Sequence, residues 1–329
     1  MRNTTEKQLA LIALDWGTTS LRAYLLDGSG SSLAERNLPL GLMNLSRLPN
    51  GERDFLSAFK AACADWLDLR PGLPVIACGM VGSAQGWRQA DYVDVPARVA
   101  DICGRLLRID TGLGVPLWIV PGLRKIDGLS DVIRGEETQV IGAMQCLAAQ
   151  GPSLVALPGT HSKWVLVEDG CFRTFDTFMT GEVYSALQAH TILGQLMIAG
   201  AEDRLAFDRG LKVAASEEAE KGLLATLFSV RTLGLTGRVP AAGLADYLSG
   251  LLIGYEVNAV ARLYATRLRR SSRVPVVLCG TPALRRRYQR ALDASAWADV
   301  TSLDSSSRSG LWKVAQGAGL VALAASRSA

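Results

Sequence analysis

Short apolar runs that end at glycine or aspartate alternate along the first half of the chain with longer segments of helical periodicity. The runs predict five strands, at residues 9–15, 20–27, 32–38, 73–79 and 116–122. In "ERDFLSAFKAACADWLD" the apolar residues recur every three or four positions, which predicts a helix over 52–68. A second helix is predicted at about 136–149.

A second series of elements opens at "SLVALPG" (153–159), a buried strand followed by an alternating pair over 163–178. The remainder is mainly helical, with helices predicted at 181–198, 203–212, 217–229, 241–269, 282–293 and 311–325, and strands at 274–280 and 298–303. Both series begin with a strand pair and a Gly-Thr turn, about 145 residues apart, which indicates a weak internal duplication. The pattern predicts an α/β protein of two domains with a cleft between them.

Composition narrows the choice of partners. Of the 329 residues, 49% are hydrophobic and 20% charged, and the net charge is +4. So small an excess of positive charge argues against a nucleic-acid or membrane surface. The six cysteines are scattered without a Cys-x-x-Cys pair, as expected of buried reduced thiols. The first apolar run is too short for a signal peptide, so we expect a cytoplasmic protein.

The turn "LDWGTTS" (14–20) combines a carboxylate, a glycine and three hydroxyls. Consecutive backbone amides around Gly17, Thr18 and Thr19 can form an anion-binding nest. A carboxylate beside such a nest, here Asp15, can hold a hydrated Mg²⁺ against phosphate oxygens. The alternative is an Asx-type turn in which Asp15 caps its own backbone. The turn alone does not decide between the two.

Two later turns carry similar chemistry. In "LPGTHSKWV" (157–165), Gly159 and Thr160 suit a terminal phosphate and Lys163 is a point charge nearby, although an ordinary surface hairpin has the same pattern. In "VVLCGTPALRRRYQRAL" (276–292), a strand and a Gly-Thr turn precede a helix whose start suits phosphates. The arginines of that helix are expected on a solvated face.

An acid pair lies between the first and the second of the three turns, in "VIRGEETQVIG" (132–142). Acidic residues in a first helical turn stabilise the positive end of the helix dipole, and capping is therefore one interpretation of Glu136 and Glu137. The other makes one carboxylate a general base toward a substrate hydroxyl. Motifs of the Walker, dinucleotide-binding and nucleophile-elbow types are absent from the sequence.

Taken together, the motifs resemble the sugar-kinase branch of the actin-like ATPase superfamily, whose domains have a ribonuclease H-like fold. "LDWGTTSLRAYL" resembles its first phosphate motif, "PGTHSKWV" its second and "VVLCGTPAL" its adenosine motif. "RGEETQVIGA" is similar to the segment that carries the catalytic aspartate in glycerol-kinase-like enzymes. With "GMVGSAQGW", "MTGEVYSAL" and "LSGLLIGYEV", the order from residue 13 to 288 resembles the 2-dehydro-3-deoxygalactonokinase family.

The resemblance implies ATP-dependent phosphorylation of the 6-hydroxyl of 2-dehydro-3-deoxy-D-galactonate, with Mg²⁺ as the metal, in galactonate degradation. It implies that Asp15 holds the metal through water, that Lys163 offsets charge on the transferred group and that Glu136 accepts the proton. Glu137 competes for this last role, and Glu136 is favoured because it directly follows the glycine. The implied nucleotide-binding residues are Gly17, Thr18, Thr19, Gly159, Thr160, His161, Gly280 and Thr281.

Substrate binding requires a pocket for a carboxylate. The candidates are Arg22 on the second strand, Arg134, Glu137, and Met80 and Ser83 of the loop 80–87. Arg22 equally suits a surface position on an alternating strand, and the loop equally suits a tight crossover. Two features depart from the family pattern. The second phosphate turn lacks an aspartate of its own, and the proposed base is Glu rather than Asp.

The expected domains are residues 1–150, rejoined by the C-terminal helix at 311–329, and residues 151–310, with a helical insertion at about 181–270. The oligomeric state is left open, with a homodimer as one candidate. Two other functions compete with the one implied: a kinase for a related acid such as 2-dehydro-3-deoxy-D-gluconate, and a non-kinase actin-like ATPase that assembles or senses nucleotide. A repressor of this fold is disfavoured because the few residues before the first predicted strand leave little room for a DNA-binding segment.

Overall fold

The computed structural model describes residues 9–147, 151–268, 274–295, 297, 299–304 and 306–322. These residues form two compact units. The first unit takes the described residues within Met1–Leu147, Val167–Phe175 and Ser305–Ala329, and the second those within Ala148–Leu166 and Asp176–Asp304.

The first unit is built on a six-stranded mixed sheet. Its elements, in chain order, are β1 (Leu9–Trp16), β2 (Leu21–Asp27), β3 (Ser32–Leu38), α1 (Phe55–Leu69), β4 (Val75–Gly79), β5 (Tyr92–Asp94), β6 (Ala97–Arg98), α2 (Val99–Cys103), β7 (Leu107–Asp110), β8 (Pro116–Ile119), β9 (Gly122–Lys125), β10 (Asp131–Ile133), α3 (Glu136–Ala143) and, after the second unit, α10 (Ser307–Gly317). The sheet order is β3-β2-β1-β4-β8-β7, and β10, β9 and β5 form a small separate sheet. β1 is antiparallel to β2 and parallel to β4.

Helix α1 forms where the spacing of apolar residues predicted a helix. The Asp54 carboxylate accepts a hydrogen bond from the Ser57 amide at 2.9 Å and caps the helix start. Phe55, Phe59 and Trp66, which follow the predicted spacing, are buried in the core. The loop after β4 packs against this helix through Trp87, whose ring stacks on Phe55 with a centroid distance of 5.9 Å.

The second unit repeats this sheet order around its own opening hairpin. Its elements are β11 (Pro152–Leu157), β12 (Ser162–Glu168), β13 (Cys171–Phe178), α4 (Thr180–His190), α5 (Arg204–Ala214), α6 (Leu223–Leu227), α7 (Ser229–Leu235), α8 (Leu244–Leu268), β14 (Val276–Cys279), α9 (Pro282–Ala294) and β15 (Val300–Leu303). The sheet order is β15-β14-β11-β12-β13, with β6 beside β13, where it pairs with Cys171 and Phe172. β11 lies between its hairpin partner and a later parallel strand, as β1 does in the first sheet. The α/β class is confirmed, and the repeated order agrees with the indicated duplication.

Several predicted helices differ from those observed. The helix expected over 181–198 ends at His190, and a 3₁₀ turn over Gly194–Leu196 follows. The helix expected over 217–229 is divided into a 3₁₀ segment, α6 and α7, because Gly222 adopts a φ of 85° that a helix does not allow. Helix α10 starts four residues earlier than expected and ends at Gly317. The parts of the predictions at 148–149, 269, 298 and 323–325 lie outside the described residues.

Helices α3 and α10 cross at glycines. A Cβ atom on Gly310 would lie 1.8 Å from the Thr138 carbonyl oxygen, and one on Gly142 would lie 2.1 Å from that of Ser306. The Ser306 hydroxyl donates to the Gln139 carbonyl at 2.7 Å. Only residues without a side chain allow this backbone approach, which fixes α10 against the start of the site described below.

Among the described residues, no helix has both the length and the apolar character required to cross a membrane.

We expect Gly310→Ala to lower the free energy of unfolding by about 1–3 kcal/mol, because the added methyl group forces α3 and α10 apart. Urea unfolding followed by tryptophan fluorescence measures the change. Gly28→Ala is the matched control, since no atom lies within 4 Å of a Cβ placed there. Equal stabilities of the two variants would contradict the proposed close packing.

Candidate functional site

Asp15 occupies the end of β1 and is held by two partners. The Ser307 hydroxyl donates to its Oδ2 at 2.8 Å, and Arg22 Nη1 lies 3.6 Å from the same oxygen. Arg22 is opposite Asp15 in the antiparallel pairing of β1 with β2. Burial raises the pKa of Asp15, while the Ser307 hydrogen bond and the Arg22 charge act in the opposite direction. Its side chain is nevertheless 16% exposed.

The surroundings of Asp15 suit a hydrated Mg²⁺ rather than a closed metal cage. Mg²⁺ usually keeps several waters and binds one or two carboxylates together with substrate phosphates. Within the described residues no group of three or more His, Cys, Asp and Glu side chains could hold a metal ion. Asp15 could supply one carboxylate to such an ion, and among the residues that the structure describes its Oδ1 has the Cys78 sulfur, at 4.0 Å, as a weak partner.

The turn after β1 keeps backbone amides available. A segment behind it satisfies its carbonyl groups: the Leu42 and Met43 amides donate to Gly17 and Thr18, and the Asn44 side-chain amide donates to Thr19. In the described part of the chain, the amides of Thr18 and Thr19 have no acceptor. Both residues are exposed. This arrangement can receive an anion such as a phosphate oxygen.

Three carboxyl groups of the first unit share one neighbourhood. The parallel pairing of β1 with β4 puts Cys78 beside Asp15. Burial, and after it the charges of Asp15, Glu137 and Glu136, raise the pKa of the Cys78 thiol well above its usual value. The start of α3 reaches this point because Gly135, at a φ of 101°, allows an approach in which its Cβ would lie 3.1 Å from the Gly79 Cα. Thus β1 and α3 bring the predicted metal ligand and the predicted base together.

The two glutamates of α3 have different surroundings. Glu137 is fully buried; its Oε2 accepts from the Gly135 amide at 2.6 Å and its Oε1 from the Thr138 hydroxyl at 2.9 Å. Burial and the neighbouring Glu136 raise the pKa of Glu137 to about 8. Glu136 is half-buried, and its Oε2 accepts from the Arg134 amide at 3.0 Å. The predicted contact of Glu137 with substrate therefore has no support from this geometry, whereas Glu136 remains partly accessible.

The other residues predicted to bind substrate lie near the loop after β4. The Arg134 guanidinium lies 4.3 Å from the Tyr92 ring centroid, and its Nη2 donates to the Ala90 carbonyl at 2.7 Å. A Cβ on Gly82 would lie 3.0 Å from Arg134 Nη1, so the residue before Ser83 packs against this guanidinium. Met80 is half-buried against the core. Arg22, with 40% of its side chain exposed, lies beside Asp15 instead.

In the second unit, the Gly-Thr turn between β11 and β12 is held by the start of α4. The Glu182 amide donates to the Thr160 carbonyl at 2.9 Å, and a Cβ on Gly181 would lie 2.4 Å from the Gly159 carbonyl oxygen. His161 is exposed, and its Nε2 is paired with the Glu182 carboxylate. Sequence reasoning placed His161 in this turn but did not identify Glu182.

Lys163 is buried, with 5% of its surface exposed. Its Nζ donates to the His161 carbonyl at 2.9 Å, which directs the ammonium group to the turn's own backbone. The lysine thus supplies a positive charge from inside the hairpin rather than from a solvated surface. The alternative of an ordinary solvated lysine is therefore wrong, although the turn itself is exposed at Thr160 and His161.

Gly280 and Thr281 lie where β14 ends and α9 begins, and Pro282 occupies the first turn of the helix. The same helix, with α4 and α8, lines an open cavity of about 140 Å³ in the second unit. Gly159 of the turn lines this cavity together with Tyr184, Leu252, Leu284 and Tyr288. A mainly apolar cavity beside a Gly-Thr turn suits a flat ring whose polar extension reaches the turn.

Two functional candidates escaped sequence reasoning. Ser307 contacts Asp15 across 292 positions of sequence, and no local signal points to it. Glu256 is an acid in the middle of the apolar helix α8, and it is only 3% exposed. A carboxylate in the middle of such a helix is a signal that could have been followed, since buried acids require hydrogen-bond donors.

These features define a class. Each unit has a sheet in which an opening hairpin adjoins later parallel strands, and each hairpin carries a Gly-Thr turn; the first also carries an acid. This is the actin-like ATPase fold to which sugar kinases belong, as the sequence resemblance implied.

Comparison with known proteins identifies the family. The sequence model of the 2-keto-3-deoxy-galactonokinase family matches residues 15–314, and the chain belongs to this family. It is 39% identical to a probable 2-dehydro-3-deoxygalactonokinase of Rhizobium meliloti (strain 1021) over 286 residues, 86% of this chain and 88% of the relative. It is 36% identical to the 2-dehydro-3-deoxygalactonokinase of Escherichia coli (strain K12), over 92% of this chain and 97% of the relative.

A solved structure shares the fold. The crystal structure of a putative 2-dehydro-3-deoxygalactonokinase protein from Sinorhizobium meliloti aligns with a TM-score of 0.74 and 35% sequence identity. The alignment covers 93% of this chain and 98% of that chain. The predicted family and fold are therefore confirmed.

Because the pKa of the buried Glu137 is raised, we expect the free energy of unfolding to depend on pH. Its pKa is about 8 in the folded state, against an ordinary value of 4.5. Its contribution to the free energy of unfolding is fully present below pH 4.5 and is lost as the pH rises to about 8, because over that range only the unfolded state ionises. The slope is up to about 1.4 kcal/mol for each pH unit.

We expect Glu137→Gln, which keeps an acceptor for the Gly135 amide, to remove this slope. The unfolding free energy of the variant relative to wild type should rise between pH 5 and pH 8, as measured by urea unfolding at fixed ionic strength. Glu35→Gln, at an exposed position of β3, is the control and should follow wild type. A constant difference between Glu137→Gln and wild type would show that Glu137 is ionised in the folded protein.

Proposed function

We propose that the chain transfers the γ-phosphoryl group of ATP to the 6-hydroxyl of 2-dehydro-3-deoxy-D-galactonate, giving 2-dehydro-3-deoxy-6-phospho-D-galactonate and ADP. The observation that carries this proposal is that Asp15 lies beside Cys78 on the paired strand, while Gly135, directly before Glu136, packs against Gly79, in a member of this kinase family. The names of both curated relatives support the sugar acid as substrate. We infer that the enzyme acts in the cytoplasm, where ATP is supplied.

Glu136 is proposed as the general base. In the transfer step, the substrate hydroxyl gives its proton to the Glu136 carboxylate while its oxygen forms a bond to the γ-phosphorus. The bond between that phosphorus and the bridging oxygen breaks, and ADP leaves with the electron pair. The partial exposure of Glu136, in contrast to the fully buried Glu137, supports this choice. Proton acceptance by a positioned carboxylate contributes typically about 10²–10⁴-fold to rate.

Asp15 is proposed to contact Mg²⁺ through water. When bound, the ion would neutralise charge on the β- and γ-phosphates and orient them for transfer. The Ser307 hydrogen bond to Oδ2 fixes the carboxylate, and Oδ1 remains for the ion's hydration shell. Arg22 would limit repulsion between Asp15 and the phosphates.

The backbone turns are proposed to bind the nucleotide. The free amides of Thr18 and Thr19 support phosphate binding after Gly17 in the first unit. In the second unit, Gly159, Thr160 and His161 are the corresponding residues. Lys163, whose ammonium lies against the His161 carbonyl, makes this turn favourable for anions and offsets charge that develops on the transferred group. Gly280 and Thr281 are proposed to adjoin the nucleoside.

The substrate assignment is tested by measuring ADP release with Mg²⁺-ATP and each of two acids, 2-dehydro-3-deoxy-D-galactonate and its gluconate epimer. We expect a higher kcat/KM for the galactonate. Faster turnover of the gluconate epimer would overturn the substrate assignment. ATP hydrolysis that needs no sugar acid, together with polymer formation, would overturn the kinase assignment.

We expect Glu136→Gln to lower kcat by about 10²–10⁴-fold, because the amide cannot accept the hydroxyl proton. Binding of a non-hydrolysable ATP analogue, measured by calorimetry, should change by less than about 2-fold, since the substitution preserves size. Asp127→Asn, in the exposed connection between β9 and β10, serves as the control with wild-type turnover. A Glu136→Gln variant that keeps more than about a tenth of wild-type kcat would reject Glu136 as the base.

A further inference from the structure

A single buried carboxylate connects three helices and a hairpin of the second unit. Trp164 Nε1, on β12, donates to Glu256 Oε1 at 2.7 Å. Tyr288, on α9, donates its hydroxyl proton to Glu256 Oε2 at 2.7 Å, and Thr180, the first residue of α4, donates to the same oxygen. Glu256 itself belongs to α8. The carboxylate therefore receives donors from three separate elements.

The network continues to the strand that follows the Gly-Thr turn. The Ser162 and Tyr288 hydroxyl oxygens lie 2.8 Å apart. Because the Tyr288 proton is directed to Glu256, Ser162 must donate to Tyr288. Ser162 is completely buried and is the first residue of β12, directly after His161 of the turn. One end of the turn is thereby tied to Glu256 through a tyrosine.

The other tie runs through α4. Thr180 is bonded to Glu256, and the next two residues contact the turn directly: Gly181 packs against the Gly159 carbonyl, and the Glu182 amide donates to Thr160. The position of Thr180 along the chain fixes where Gly181 and Glu182 lie. A displacement of Thr180 would therefore displace the backbone that holds Gly159 and Thr160.

A buried polar group that loses its hydrogen-bond partner costs more free energy than the hydrogen bond contributes, so the network tolerates little displacement of its members. A buried carboxylate without donors pays the cost of desolvation without compensation. The same holds for buried hydroxyl and indole groups that lack an acceptor. Burial raises the pKa of Glu256, and the hydrogen bonds from Thr180, Trp164 and Tyr288 oppose that rise. These three donors, and Ser162 behind Tyr288, must hold their positions together for the network to remain satisfied.

We propose that Glu256 is a positioning residue for ATP: by fixing Thr180 and Ser162, it holds the turn Gly159–His161 in the conformation that receives the nucleotide phosphates. This inference rests on the proposed function of the turn. Glu256 acts through Thr180, Tyr288 and Ser162 and does not itself take part in the chemistry. Its effect should therefore appear in nucleotide binding and not in recognition of the sugar acid.

The test uses the full chain with the variants Thr180→Val, Glu256→Gln and Glu256→Ala. Affinity for a non-hydrolysable ATP analogue is measured by calorimetry, and KM for both substrates is measured by ADP release. A hydrogen bond to a charged group contributes about 10–100-fold to an equilibrium. We expect Thr180→Val to weaken nucleotide binding about 10-fold and Glu256→Ala by more, with KM for the sugar acid changed less than about 2-fold.

Glu256→Gln provides the rescue measurement. Its amide oxygen can accept from Trp164, and its NH₂ group can donate to the hydroxyl oxygens of Thr180 and Tyr288 after these rotate their protons. We expect it to recover at least half of the loss in binding free energy seen in Glu256→Ala. Should Glu256→Ala fail to fold, Thr180→Val and Glu256→Gln still decide the question, since Thr180→Val alone must weaken nucleotide binding.

Thr226→Val is the matched control. Thr226 is another buried threonine of the second unit, 6% exposed, and its hydroxyl donates to the Tyr255 hydroxyl at 2.9 Å. This variant should lose stability without a change in nucleotide affinity. The inference is overturned if Thr180→Val binds the analogue as wild type does, or if Thr226→Val and Thr180→Val weaken binding equally. A wild-type chain that binds no nucleotide would instead contradict the proposed function itself.

Discussion

A carboxyl group can be buried only where hydrogen-bond donors meet it, and this constraint governs how the functional segments of both units are held. Asp15 receives the Ser307 hydroxyl, Glu137 receives the Gly135 amide and the Thr138 hydroxyl, and Glu256 receives donors from three elements. An unmet donor or acceptor costs about 1–3 kcal/mol, and more when charged. Each acid thereby specifies where its neighbouring elements must lie.

The strand order of the sheets determines where these acids and their neighbours lie. In the first unit, β1 lies between an antiparallel partner and a parallel one, so Asp15 faces Arg22 on one side and Cys78 on the other. The glycine crossing of α3 with α10 then brings Ser307 to the same place. In the second unit the equivalent order places the second Gly-Thr turn at the start of β12. There the acid is absent from the turn, and Glu256 of α8 organises the surroundings instead.

Sequence reasoning succeeded where a feature is encoded locally. The spacing of Phe55, Phe59 and Trp66 predicted α1, and the opening strands were predicted almost to the residue. The motif order predicted the family because several short segments had to agree. Contacts between distant segments were not predictable in this way: Ser307 meets Asp15, and Trp164 meets Glu256, only because the folded elements bring them together. The end of α4 at His190 was not predicted either, because the apolar residues that follow it continue the helical pattern.

The acid pair of α3 shows how one step along a helix separates two roles. Consecutive helical residues differ by about 100° around the axis, so adjacent carboxylates cannot share one environment. Glu137 points into the unit, where it closes the helix start and has a pKa of about 8. A carboxyl group that is mostly protonated near neutral pH is a poor acceptor for a substrate proton, and both its oxygens are occupied. Glu136, which accepts from the Arg134 amide, is half-buried and is therefore the more accessible member of the pair. Glu137 thus fixes the start of the helix that carries Glu136, and its proton reduces the negative charge beside the proposed base.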